Sequence, residues 1–143
     1  MSVFVDTNVL VYARDPDHVE KQEQALAWMG HLWASGEGRI SAQVLNEYYV
    51  TVTRRLTPGL SHVEARADIE DLVSWNPQPI DAALIRQAFE IRESAQLSHW
   101  DALIVAAARR AGCEYLLTED LSDGQRIDTV TVLSPFTHSP SLR

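Results

Sequence analysis

Apolar residues recur along the 143-residue chain in two rhythms. Ser2-Val3-Phe4-Val5, Tyr115-Leu116-Leu117 and Val130-Thr131-Val132-Leu133 are short runs rich in β-branched and aromatic side chains, and they read as buried strands. Between them the period lengthens to that of helices. Ala25, Leu26, Met29, Leu32 and Trp33 mark one face of a helix from Asp17 to about Ser35, ended by Gly36-Glu37-Gly38. Arg39-Ile40-Ser41 predicts a minimal strand. Val44, Leu45, Tyr48, Tyr49 and Val52 form the stripe of a helix over 42–56, broken at Thr57-Pro58-Gly59. Ser61 with Glu64 three positions on is a capping-box start for a helix to about Val73. Asn76-Pro77-Gln78-Pro79 is a stiff turn, and Asp81 opens a helix to about Ser94. The segment 98–111 is helical and apolar on almost every side, with Gly112 as its stop. After Pro135 the chain turns polar, which predicts a loose tail over 136–143.

Short apolar strands separated by helices, with no hairpin signal, predict an α/β fold with a central, mostly parallel sheet flanked by helices. No repeat, linker or low-complexity segment interrupts the pattern, so a single domain over 1–143 is expected, long enough to bury a core without covalent staples. Cys113 is the sole cysteine. That leaves no intrachain disulfide and no cysteine-rich zinc site, and a reducing cytoplasmic setting is the expectation. No apolar run approaches the roughly 20 residues needed to cross a bilayer, so no membrane association is expected. Lys plus Arg is 12 and Asp plus Glu is 20, a formal charge of 12 − 20 = −8. That balance opposes nucleic-acid binding over the surface at large, but a cation held by clustered carboxylates inverts the local sign.

The acids that matter are those near strand ends, because ligands of such sheets bind beyond the carboxyl edges of the strands. Asp6 follows the first strand within "FVDTNVLVYA". Its plainer reading is a helix N-cap. Asp120 follows the strand at 115–117, in a loop where Asp123 and Gly124 also suit a turn. Asp101 points among Ile104, Val105 and Ala108, where a carboxylate needs a partner; Ser98 offers one through an S-x-x-D cap, and a metal is the other candidate. Glu47 lies at the edge of its helix's stripe with no local cation to pair with. At about 4 Å and an effective dielectric of about 20, two carboxylates repel by roughly 4 kcal/mol. A divalent cation offsets that, and hard oxygen ligands without a His or Cys cluster suit Mg²⁺ or Mn²⁺.

Four motifs in order, "FVDTNVLVYA", "SAQVLNEYYVTVTR", "LSHWDALIVAAARRAG" and "YLLTEDLSDGQ", resemble those of PIN-domain ribonucleases, and more narrowly VapC-type toxins of bacterial type II toxin–antitoxin systems. The resemblance implies a PIN-like domain whose acidic pocket binds Mg²⁺ or Mn²⁺ and hydrolyses RNA phosphodiesters. The acids it assigns to metal binding and catalysis are Asp6, Glu47, Asp101 and Asp120, with Asp123 as the alternative to Asp120. Thr7, Asn8 and Thr118 would orient those carboxylates or hold a water on the metal. It also implies a homodimer and a cognate antitoxin whose Arg or Lys enters the pocket, with the helices at 17–35 and 61–73 as candidate interfaces.

For gripping RNA, Arg14, Arg54 and Arg55 are the first candidates, with Arg109 and Arg110 as alternatives. Trp28 and Trp33 are expected in the core or on an oligomer face, and His99 and Trp100 are expected to pack. Two neighbouring readings keep the fold: a PIN nuclease of RNA maturation or decay without an antitoxin, and an inert RNA- or protein-binding module. A phosphatase of the haloacid-dehalogenase type would want a second aspartate two residues after Asp6, where this chain has Asn8.

Overall fold

The computed structural model describes residues 1–140. Its β-strands are β1 (Val3–Val5), β2 (Gly38–Arg39), β3 (Tyr115–Leu117), β4 (Arg126–Ile127) and β5 (Val130–Leu133). They form one sheet in the order β2-β1-β3-β5-β4. The first four in that order run parallel, and β4 joins the edge antiparallel to β5. The expected mostly parallel sheet is therefore present. Its antiparallel edge corrects the reading that no hairpin exists: Ile127 pairs with Val130 across a turn at Asp128, whose φ is 56°. Asp128 is one of the few residue types that adopt this conformation at low cost.

The helices are α1 (Thr7–Tyr12), α2 (Val19–Ser35), α3 (Ala42–Arg54), α4 (His62–Leu72), α5 (Ala82–Ala95) and α6 (His99–Arg110). The capping box expected at Ser61 and Glu64 is complete in both directions. α6 is buried from Ala102 to Ala108, matching its all-round apolar sequence, and the three residues of β1 are fully buried. These two elements and β3 form the centre of the core. Burial of their aliphatic side chains, at about 25 cal/mol per Å² of apolar surface, is the main force that holds the sheet edge in place.

The tail departs from expectation. Trp28, fully buried on α2, donates its Nε1–H to the carbonyls of Pro135 (3.2 Å) and His138 (2.9 Å). His138 also reaches Asp123 at 2.9 Å. An indole N–H in the core requires an acceptor, and residues 135–138 supply it. The segment up to Pro140 is thus packed rather than loose; the rest of the predicted tail, 141–143, lies outside the described residues.

Candidate active site

After β1 the chain crosses to β2 on one side, and it later returns to β3 on the other. The crevice beyond the carboxyl ends of β1 and β3 is therefore a topological switch point, where open parallel sheets bind ligands. Asp6 and Thr118 are the residues immediately after these two strands. They meet there: the Thr118 hydroxyl donates to Asp6 Oδ2 at 2.9 Å. Asp6 also caps α1, its Oδ1 accepting from the Thr7 amide at 2.7 Å. The two readings of Asp6 are compatible, because one oxygen caps and the other faces its polar neighbours.

Asn8 ties the pieces together. Its amide nitrogen donates to Thr118 Oγ1 (2.9 Å) and Asp120 Oδ2 (3.2 Å), while its oxygen accepts from the Glu119 amide (3.3 Å). The Asp120 amide in turn donates to Thr118 Oγ1 at 3.1 Å. Thr7 handles the third acid, its hydroxyl donating to Glu47 Oε1 at 2.7 Å from the first residue of α1. Glu47 reaches the site because Ser41 caps α3 and starts that helix at a fixed point on the sheet's edge. Asp101 sits in the first turn of α6. Its amide donates to Ser98 Oγ at 3.1 Å, but the carboxylate makes no return bond to the Ser98 amide. Capping does not consume this carboxylate.

Asp6, Glu47, Asp101 and Asp120 all line one open cleft of about 690 Å³. Among the described residues, no three His, Cys, Asp or Glu side chains close into a tight ligand cage; the four acids face the cleft from four different elements. Their electrostatics match that crowding. Burial pushes the Asp6 carboxyl up to about 7, against hydrogen bonds from Thr7 and Thr118, with the charges of Asp120 and Glu47 adding to the rise. The Asp120 carboxyl is also raised, chiefly by burial, with Glu119 and Asp101 contributing and Asn8 opposing. The site is thus short of positive charge and built from hard oxygen donors, a set that fits a divalent cation of the Mg²⁺ or Mn²⁺ type.

The remaining sequence candidates separate. Asp123 does not line the cleft: it accepts from the Ser134 amide at 2.8 Å and contacts His138, and the Ser134 bond holds its carboxyl below the usual range. Arg14 faces another groove and is clamped to Asp68 by two hydrogen bonds of 3.0 and 2.6 Å. Arg109 is held by Asp128 and Arg110 by Asp81. Arg54 is exposed at the end of α3, outside the cleft lining. Arg55 does line the cleft.

Glu119 is not among the sequence candidates, although it stands inside "YLLTEDLSDGQ". Glu119 also lines the cleft, but Lys21 neutralises it with an ion pair of 2.9 Å. Lys21 is 98 residues away, so no local signal announced the pairing.

A family model described as the PIN domain matches residues 3–125. No curated protein sequence gives a significant match. Among solved structures, the FitAB complex bound to a DNA fragment is similar with a TM-score of 0.73 at 22% identity, covering 94% of this chain and 95% of its counterpart. A toxin–antitoxin complex from Klebsiella pneumoniae is similar at 0.66 and 22% identity, covering 94% and 98%. A sarcin–ricin-loop-cleaving VapC toxin from Mycobacterium tuberculosis is similar at 0.59 and 25% identity, covering 80% and 87%. The family match runs from β1 through the loop that carries Asp120, and so takes in Asp6, Glu47, Asp101 and Asp120: the chain belongs to the PIN-domain family.

Proposed function

We propose that the protein is a divalent-metal-dependent endoribonuclease toxin held inactive by a cognate antitoxin. The observation that carries this reading is the convergence of Asp6, Glu47, Asp101 and Asp120 on one cleft at the sheet's switch point. Similar proteins support the biological role: one is a toxin–antitoxin complex and another a VapC toxin that cleaves the sarcin–ricin loop.

Asp6, Glu47, Asp101 and Asp120 would hold the Mg²⁺ or Mn²⁺. A cation bound there would supply Lewis-acid charge neutralisation at the scissile phosphate and activation of the attacking water. The chain's own contribution is preorganisation. Thr7 fixes one Glu47 oxygen, Thr118 fixes one Asp6 oxygen, and Asn8 holds the loop bearing Asp120 against the start of α1. Each polar neighbour therefore limits the rotamers of a carboxylate before substrate arrives. RNA cleavage in Mg²⁺ or Mn²⁺ that stops on addition of EDTA is the expected result. Cleavage that persists in EDTA, from protein stripped of metal, would contradict metal dependence.

Arg55 is the proposed phosphate contact. Its side chain makes no hydrogen bond or ion pair among the described residues, it is exposed, and it lines the cleft. Arg55→Ala should weaken binding uniformly across RNA sequences and lower the log–log salt slope by about 1. Arg14→Ala should instead lower stability with little change in that slope, since its guanidinium is committed to Asp68. Salt titrations of RNA affinity for the two variants separate these roles.

The antitoxin's proposed seat includes a second groove of about 390 Å³ between α2 and α4. Leu26 and Trp33 are exposed there beside Met29 and Leu72, and the Arg14–Asp68 pair also lines the groove. The homodimer implied by the sequence resemblance is part of the same proposal.

A further inference from the structure

We infer that Trp100 is a stacking platform for one RNA base, fixing which nucleotide lies beside the acids; the inference rests on the nuclease reading above. The expectation that Trp100 packs is not met. It is 60% exposed although it belongs to a helix that is buried from Ala102 to Ala108, and it lines the acid cleft. Tryptophan is seldom left so open, and the indole N–H has no partner among the described residues.

Its backbone is nevertheless pinned. Ser98 caps α6 two residues earlier, and Gln43 Nε2, buried on α3, donates to the Trp100 carbonyl at 3.2 Å. His99 stands edge-on to the indole, with ring centroids 5.4 Å apart, and contacts Phe89 in turn at 5.7 Å. One flank of the ring is therefore supported by aromatic side chains. An ordered, exposed indole costs little further entropy on binding, which suits a recognition platform better than a mobile one.

The chemistry around it selects the occupant. Asp101 is the next residue, and Arg55 lines the same cleft, so a ligand resting on the indole lies alongside proposed metal ligands and one unpaired cation. A nucleotide presents a flat π-face joined to a phosphate, and matches both halves of that surface. Base stacking on an aromatic side chain is tolerant of base identity and sets register rather than reading an edge. An apolar protein surface would match only the ring and would meet Glu47 and Asp101 without a charge partner. For that reason a second copy of the chain is the weaker occupant.

The test uses full-length wild type, Trp100→Ala, Trp100→Phe and the surface control Ile80→Ala, an exposed apolar residue outside both grooves. Affinity for a short single-stranded RNA of mixed sequence is measured in Ca²⁺, alongside a set of the same RNAs carrying one abasic nucleotide at successive positions. The expected result is a roughly 10-fold loss for Trp100→Ala, partial recovery in Trp100→Phe, and no loss in Ile80→Ala. One abasic position should weaken wild type while leaving Trp100→Ala unchanged, because the stacked base is already missing its partner. Equal affinity of wild type and Trp100→Ala would overturn the inference and leave the nuclease reading standing. So would a loss that follows a change in oligomeric state, measured by light scattering, with no abasic position singled out. Wild type that binds none of these RNAs would overturn the nuclease reading and this inference together.

Discussion

Asp6→Asn is expected to lower RNA cleavage by more than about 100-fold, the upper figure for losing a group that only supports a metal ligand, while making the metal-free protein more stable above neutral pH. The two effects have one cause. Asp6 sits at the crowded end of β1, where burial and the charges of Asp120 and Glu47 raise its carboxyl from 3.8 to about 7. The folded protein therefore keeps this proton at pH values where the unfolded chain has released it. Stability from this group is fully present below about 3.8 and is lost as pH rises through about 7. The full difference corresponds to a ceiling of about 4 kcal/mol. Asparagine escapes that penalty but accepts the Thr7 and Thr118 hydrogen bonds less well, so a net gain of about 1–2 kcal/mol at pH 8 is expected. Thermal unfolding in EDTA at pH 5 and pH 8 measures it: the variant's advantage should appear at pH 8 and vanish at pH 5. Mg²⁺ should reverse the order at pH 8, because only wild type retains the full ligand set.

Trp28→Ala carries the largest expected cost to the fold, about 3–5 kcal/mol, the range for removing a large aromatic side chain from a core. The indole is fully buried and bridges α2 to residues 135–138 through two hydrogen bonds. Truncation opens a cavity and leaves two carbonyls without their donor. The unfolding midpoint should fall by on the order of 10 °C, and protease should cut more readily near residue 135. Trp28→Phe should recover part of the packing term without the hydrogen bonds. An unchanged midpoint in Trp28→Ala would contradict the structural role assigned to this anchor.

Why the sequence reveals some of this and not the rest follows from distance along the chain. β1, β3 and β5 are legible because each is a short run rich in apolar and β-branched residues, and α6 because its burial is nearly complete. Once β1 and β3 are placed in a parallel sheet, Asp6 and Asp120 fall at the same edge. The small elements are hidden. α1 has six residues with only Val9 and Leu10 buried, and its sole sequence signal is an Asp6 that also serves the site. β4 has two residues, with only Ile127 buried, so it gives no alternation to detect.

Side-chain partners are hidden for the same reason. Thr7 meets Glu47 across 40 residues and Arg14 meets Asp68 across 54, pairings that only the folded chain creates. Glu47 accordingly looks unpartnered in the sequence, and Arg14 looks available for RNA. Asp120 and Asp123 are three positions apart in a turn-rich loop, and composition alone does not choose between them. The fold turns Asp120 toward Asn8 and the cleft, and Asp123 toward Ser134 and His138. Trp100 shows the converse limit: an aromatic residue in the first turn of a largely buried helix reads as core, yet it is exposed.

The central claim is that the four converging acids form a metal-dependent RNA-cleaving site. Its most direct test is to incubate cellular RNA with purified, antitoxin-free wild type, Asp6→Asn and Asp123→Asn, each confirmed as folded, with and without Mg²⁺. Discrete cuts made in Mg²⁺ by wild type and Asp123→Asn, and absent in Asp6→Asn, are the predicted result. Equal cutting by Asp6→Asn and wild type, or no cutting by wild type in Mg²⁺ or Mn²⁺, would contradict it.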